Sequence, residues 1–157
     1  MIDQISAFFT IEMIYLWLNI SVIPFWFILI FFPQSKICGL LVTSIFPFIV
    51  LGSIYIYLVY YFFNDGFNFI ENFQLYLGIY NLANLFENEA FLILIWTHFL
   101  AINLFCAAWI VRDSQKYLMS KYLIFIPLVI TYFIGPVGIV IYWIIRIFFA
   151  KKISLFD

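Results

Sequence analysis

Four stretches of this chain carry almost no charge and are long enough to cross a bilayer: residues 12–32, 39–63, 90–111 and 123–149. At about 1.5 Å of rise per residue, a helix of each length covers the roughly 30 Å of hydrocarbon in a membrane. Backbone polar groups in lipid must satisfy one another, so each stretch is expected to be a helix. The punctuation agrees. Pro33-Gln34 ends the first stretch, Asn64-Asp65-Gly66 the second, Arg112-Asp113 the third and Lys151-Lys152 the fourth. Composition closes off the soluble alternative. The chain is 68% hydrophobic and 10% charged, against about 25% charged in a soluble domain. The expectation is an all-α polytopic membrane protein, one domain over residues 1–157, with four transmembrane helices in a bundle and no internal repeat. Residues 1–10 include Asp3 and no Lys or Arg. A cleavable signal needs a basic start, so the first stretch is expected to be a retained span.

Residues 67–88 are different. Glu71, Asn72, Gln74, Asn81 and Asn84 interrupt them, while Phe69, Ile70, Phe73, Leu77 and Tyr80 recur at three- and four-residue steps. That pattern predicts a helix with one apolar face, too polar to span, lying in the membrane interface. The loop that holds it has Asp65, Glu71, Glu87 and Glu89 and no basic residue. Lys36, Arg112, Lys116 and Lys121 lie in the first and third loops, which the positive-inside rule places in the cytoplasm. With four spans both termini then fall outside, and Arg146, Lys151 and Lys152 run against the rule.

Each span carries polar or helix-breaking residues near its middle. These are Asn19, Ser21 and Pro24 in the first and Pro47, Gly52 and Ser53 in the second. The third has Thr97, His98 and Asn103, and the fourth has Thr131 and Gly135-Pro136-Val137-Gly138. His98, the one histidine, lies about 12 Å into its span. An unpaired polar group at that depth costs several kcal/mol, so His98 is expected to face protein or trapped water. There it either moves a proton or hydrogen-bonds between helices. Asn103 lies about 140° around the same helix. Glu87 and Glu89 start the third span, where the helix dipole favours acids and Asn88 is placed to cap. Glu89 is either such an N-terminal acid or a group turned into a cavity. Arg112, Asp113 and Arg146 lie near span ends and read as membrane-surface anchors. Pro136 removes a backbone donor and clashes with the carbonyl of Tyr132, which predicts a kink.

Aromatic content is 24%, including 22 Phe. This is either a lipid-facing surface or a ring-lined cavity for a long apolar ligand. A net charge of -1 gives nothing to attract nucleic acid. Cys38 and Cys106 have no metal-site spacing, and no dinucleotide fingerprint or phosphate loop is present, so neither metal nor cofactor is expected.

A set of residues then gives a resemblance. Phe86-Glu87-Asn88-Glu89-Ala90, Trp96-Thr97-His98-Phe99-Leu100-Ala101, Asn103-Leu104-Phe105, Trp109 and Asp113 follow one pattern. Gly135-Pro136-Val137-Gly138, Tyr142 and Arg146 continue it, and Leu18-Asn19 and Pro24-Phe25-Trp26 precede it. Together they resemble the abscisic-acid-deficient-type membrane protein family of plants, algae and bacteria. This chain has Asn103 where that family typically has Asp, and Ala107-Ala108 where it often has Gly. The Asn keeps hydrogen bonding and removes an ionisable group.

The resemblance implies a carotenoid or related isoprenoid substrate and chemistry like the isomerisation of violaxanthin to neoxanthin. Such a rearrangement needs an acid at an epoxide oxygen and a base at a carbon-bound proton, and no cofactor. On this reading His98 transfers the proton, Asn103 orients an oxygen, and Glu89 or Asp113 supplies a second acid/base. Trp26, Trp96 and Trp109 line an apolar cleft beside Gly135 and Pro136. The alternative is a non-enzymatic pigment-binding or scaffold subunit, as a homo-oligomer or beside a pigment enzyme. The Phe-, Ile- and Asn-rich composition points to a bacterial inner membrane as the location.

Overall fold

The computed structural model of the protein describes residues 10–151, so Asp3, Lys152 and the expectations that rest on residues 1–9 lie outside it. Among the described residues all regular structure is helical. Six α-helices follow one another: α1 (Ile11–Phe31), α2 (Phe46–Asn64), α3 (Ile79–Phe86), α4 (Glu89–Lys116), α5 (Lys121–Phe133) and α6 (Gly135–Ala150). A π-turn at Cys38–Val42 leads into α2, and a 3₁₀ stretch at Phe69–Tyr76 leads into α3. The chain divides into two compact units. The first holds the described residues up to Ser21 with Phe48–Leu100. The second holds Val22–Pro47 with the described residues from Ala101 onward.

Three helical segments are long and apolar enough to cross a membrane: Ile11–Phe31, Cys38–Asn64 and Glu89–Lys116. They coincide with the first three expected spans within a few residues, and the chain is a membrane protein on their length and apolarity. α1 runs unbroken through Pro24. α4 begins where expected, with Asn88 Oδ1 accepting from the backbone N–H groups of Ala90 at 2.9 Å and Phe91 at 3.2 Å. Two of the four N–H groups that a helix start leaves open are thereby satisfied.

The fourth expected span is not one helix. Ile134 has φ -141° and ψ 80°, outside the helical range, and separates α5 of 13 residues from α6 of 16 residues. At about 1.5 Å per residue these helices are about 20 and 24 Å long, each short of the hydrocarbon thickness. They lie against each other as a hairpin. A Cβ built on Gly138 would meet the Thr131 hydroxyl, the Thr131 nitrogen at 2.5 Å and the Pro127 carbonyl oxygen at 2.7 Å. In a merely kinked helix Gly138 and Pro127 would stand about 16 Å apart along the axis. The expected kink at Pro136 is therefore a reversal. Pro136 sits in the first turn of α6, where a missing N–H costs nothing.

The interfacial segment also differs from its expectation of one helix. Gly78, at φ +134°, separates the 3₁₀ stretch from α3. That backbone conformation is open to glycine and strained for other residues. Several apolar residues of the segment are exposed, Tyr80 to 85% and Ile70 to 75%, while Leu85 is buried.

Candidate functional site

The sequence singled out nine residues as catalytic or binding, and the structure distributes them between the two units. In the first unit, Glu89 and Trp96 line one groove of about 460 Å³. Glu89 is the first residue of α4, and Leu92, Ile93 and Trp96 follow it at helical spacing, so one face of α4 forms a wall. α1 forms the other wall with Ile11, Glu12 and Tyr15, again with the acid nearer the helix start than the aromatic ring. The Tyr15 and Trp96 rings lie 5.6 Å apart, and Phe99 stacks on Trp96 at 5.3 Å. The Trp96 indole N–H is buried without a partner among the described residues.

Glu12 and Glu89 carry no ion-pair partner among the described residues, and the sequence of this unit contains no Lys or Arg. Ile11 and Glu89 also line an adjoining polar recess with Asp65, Asn68 and Asn88. Glu89 thus stands where a polar mouth meets an apolar, ring-walled groove. Glu12 and Tyr15 were missed from the sequence. Their signal was a carboxylate at the start of a span followed by an aromatic ring on the same helix face, three residues on for Glu12 and Tyr15 and seven for Glu89 and Trp96.

His98 is not in this groove. It lies on the exposed side of α4 and makes no hydrogen bond among the described residues. The expectation that it faces protein is corrected. The buried stripe of α4 in this unit runs through Ile93, Leu94, Thr97 and Leu100, and His98 falls outside it. Thr97 spends its hydroxyl on the Ile93 carbonyl at 2.8 Å.

The second unit holds Trp26, Asn103, Trp109, Asp113, Gly135 and Pro136. Asp113 turns inward, 2% exposed, and meets Arg146, 1% exposed. Arg146 Nε donates to Asp113 Oδ2 at 2.6 Å, and the Tyr142 hydroxyl donates to the same oxygen at 2.7 Å. Arg146 Nη2 donates to the Tyr117 hydroxyl at 3.0 Å. The guanidinium also lies over the Trp143 ring at 4.8 Å and the Tyr117 ring at 5.0 Å. A buried carboxylate and a buried guanidinium each demand such partners. Arg146 is therefore not the surface anchor that the sequence favoured, whereas Arg112 is exposed as an anchor would be.

Asn103, Gly135 and Pro136 lie at the turn of the α5–α6 hairpin. Asn103 Nδ2 donates to the Tyr132 carbonyl at 3.5 Å, the oxygen that the break in the helix leaves without a helical donor. A Cβ on Gly135 would run into the Asn103 amide. Trp26 packs edge-on against Tyr132 at 5.1 Å, and Trp109 stacks on Trp143 at 5.9 Å. Pro136 is exposed. Asn103, Gly135, Trp26 and Trp109 are thus engaged in packing. Among the described residues no group of three His, Cys, Asp or Glu side chains is placed to hold a metal ion.

Residues 13–142 match the family described as ABA DEFICIENT 4-like. The chain belongs to the ABA DEFICIENT 4-like family. A relative, Protein ABA DEFICIENT 4, chloroplastic, from Arabidopsis thaliana, is 25% identical over 130 residues, covering 73% of this chain and 56% of the relative. The chain thus spans little more than half the length of that protein. No solved structure matches. The segment matched to the ABA DEFICIENT 4-like family takes in Tyr15, Glu89, Trp96, Asp113 and Tyr142, and stops short of Glu12 and Arg146.

Proposed function

We propose that this ABA DEFICIENT 4-like chain acts on a carotenoid or related isoprenoid held in the groove between α1 and α4. The observation that carries the reading is the groove itself. It combines two carboxylates, a wall of Tyr15 and Trp96, and apolar lining from Ile11, Leu92 and Ile93. A long molecule with one oxygenated end matches that order of groups. Its ring end meets Glu89 and the polar recess, and its apolar body follows the aromatic wall.

The chemistry proposed is a cofactor-free isomerisation. One carboxyl group gives a proton to a ring oxygen while another takes a proton from carbon. Glu89 and Glu12 hold those roles in place of His98 and Asn103. His98 faces away from the described protein, and Asn103 is occupied by the hairpin backbone. Asp113 is held by Arg146 and Tyr142 and supports the second unit instead.

The test is to express the chain in membranes supplied with a panel of epoxidised and hydroxylated carotenoids and to compare pigment profiles. The expected result is a new isomer that disappears in Glu89→Gln and Glu12→Gln with the protein level unchanged. Profiles identical with and without the protein across the panel would sink the enzyme. A binding-only role is favoured by the share of candidate residues engaged in packing. It is supported instead if pigment co-purifies unchanged and Trp96→Ala releases it.

A further inference from the structure

Basic residues are sorted completely between the two units. All seven Lys and Arg residues belong to the second unit, and none to the first. Among the described residues of the second unit the single acid is Asp113, which is buried against Arg146 and Tyr142. Among the described residues the exposed charge of that unit is therefore wholly positive: Lys36, Arg112, Lys116, Lys121 and Lys151.

Hydrogen bonds bring these cations to one end of the unit. Gln115 Nε2 donates to the Pro33 carbonyl at 2.8 Å, and Gln34 Nε2 donates to the Met119 carbonyl at 3.4 Å. The two bonds fasten the turn that carries Lys36 to the turn between Lys116 and Lys121. The Arg146–Tyr117 bond at 3.0 Å brings the end of α6 to the same turn, with Lys151 just beyond. Each cation lies at or just past the end of an apolar helix, which is headgroup depth for a long side chain whose stem lies along hydrocarbon. No exposed acid of the unit competes for them among the described residues.

We propose that this end of the second unit is a binding surface for the headgroups of anionic phospholipids. The juxtaposition that carries it is five exposed cations around the Pro33–Gln115 and Gln34–Met119 bonds, with the unit's one described acid buried. Steering by a polybasic membrane-facing cluster follows ordinary electrostatics. Each cation near an anionic surface raises its preference up to about fivefold, and the effect decays within a Debye length. The inference stands apart from the groove and its ligand, since it uses none of the groove residues.

The full chain is equilibrated in nanodiscs made from equal parts phosphatidylcholine and phosphatidylglycerol, and the lipid retained is counted by native mass spectrometry. Phosphatidylglycerol is expected to be retained several-fold over phosphatidylcholine. Glu87→Gln, in the first unit, is expected to leave that ratio unchanged. The combined Lys36→Gln, Lys116→Gln, Lys121→Gln and Lys151→Gln variant is expected to bring it close to one. Equal retention by the unaltered protein, or unchanged enrichment in the combined variant, overturns the proposal. Should the combined variant fail to assemble, the unaltered protein equilibrated at about 1 M salt decides, because screening then shrinks to about 3 Å. Enrichment that survives that salt overturns the proposal, and enrichment that collapses supports it.

Discussion

Asp113 Oδ2 accepts from both Arg146 Nε and the Tyr142 hydroxyl, inside a unit where neither charge reaches solvent. Coulomb attraction in such a setting is largely offset by the cost of removing both ions from water. What the pair cannot tolerate is the loss of one member. Arg146→Leu leaves a buried carboxylate with only a tyrosine to hold it and is expected to cost about 3–5 kcal/mol. The double variant Asp113→Leu/Arg146→Leu removes both charges and is expected to recover most of that loss. Denaturant unfolding in detergent micelles reads both. Equal destabilisation in the single and the double variant would contradict the pairing. His98 gives the opposite case. Exposed and without a hydrogen bond among the described residues, it holds nothing together. His98→Leu is expected to leave unfolding unchanged within about 0.5 kcal/mol. The sequence placed His98 in a buried polar layer and Asp113 at the surface end of the same span, because it gives depth along a helix and not which side faces protein. Nothing local marks Asp113 as inward and His98 as outward. That difference is set by partners 29 and 33 residues away in the chain.

At the level of single elements, apolar length was enough to locate α1, the Cys38–Asn64 segment and α4, because a run in lipid has no other way to satisfy its backbone. It failed at α5 and α6. Gly135-Pro136-Val137-Gly138 announces a break, and composition cannot distinguish a bend from a reversal. The distinction lies in Gly138, whose missing side chain lets α6 close on Thr131 and Pro127. Thr131 is itself turned back on its own helix, its hydroxyl donating to the Pro127 carbonyl at 2.7 Å. Gly138→Ala must therefore push backbone as well as a hydroxyl and is expected to destabilise by about 1–3 kcal/mol. Gly52, in the middle of α2, has nothing within 4 Å of its Cβ position. Gly52→Ala is expected to stabilise by up to about 1 kcal/mol, since alanine is the better helix former. Thermal unfolding of the two variants side by side measures the contrast. A continuous, merely kinked helix predicts that both behave like Gly52→Ala. The groove was half legible for a related reason. Glu89 and Trp96 stood out on one helix, whereas Glu12 and Tyr15 acquire meaning only once α1 is laid beside α4.

For the molecule as a whole, a hairpin in place of a fourth crossing predicts a topology without the conflict between charge and the positive-inside rule. Four crossings put the ends of the chain on one side and left Arg146, Lys151 and Lys152 against the positive-inside rule. Three crossings by Ile11–Phe31, Cys38–Asn64 and Glu89–Lys116 reverse that count. The α5–α6 hairpin leaves the end of α4 at Lys121 and returns to it, because Arg146 bonds to Tyr117 and Tyr142 to Asp113. In the three-crossing topology it adds no crossing. On three crossings the positive-inside rule predicts that Lys36, Arg112, Lys116, Lys121, Arg146 and Lys151 share the cytoplasmic side and that the loop of Asp65 and Glu87 lies on the other. Segregation this complete is what retention of Lys and Arg in the cytoplasm produces. The two topologies separate at a pair of positions. In a chain with Cys38 and Cys106 replaced by Ala, Asp65→Cys and Lys151→Cys carry the probe one at a time. A membrane-impermeant maleimide is expected to label Asp65→Cys in intact cells and Lys151→Cys only after the membrane is opened. Four crossings place the two positions on the same side, so matched labelling of both would restore the single fourth span and put the last three basic residues back in conflict with the rule.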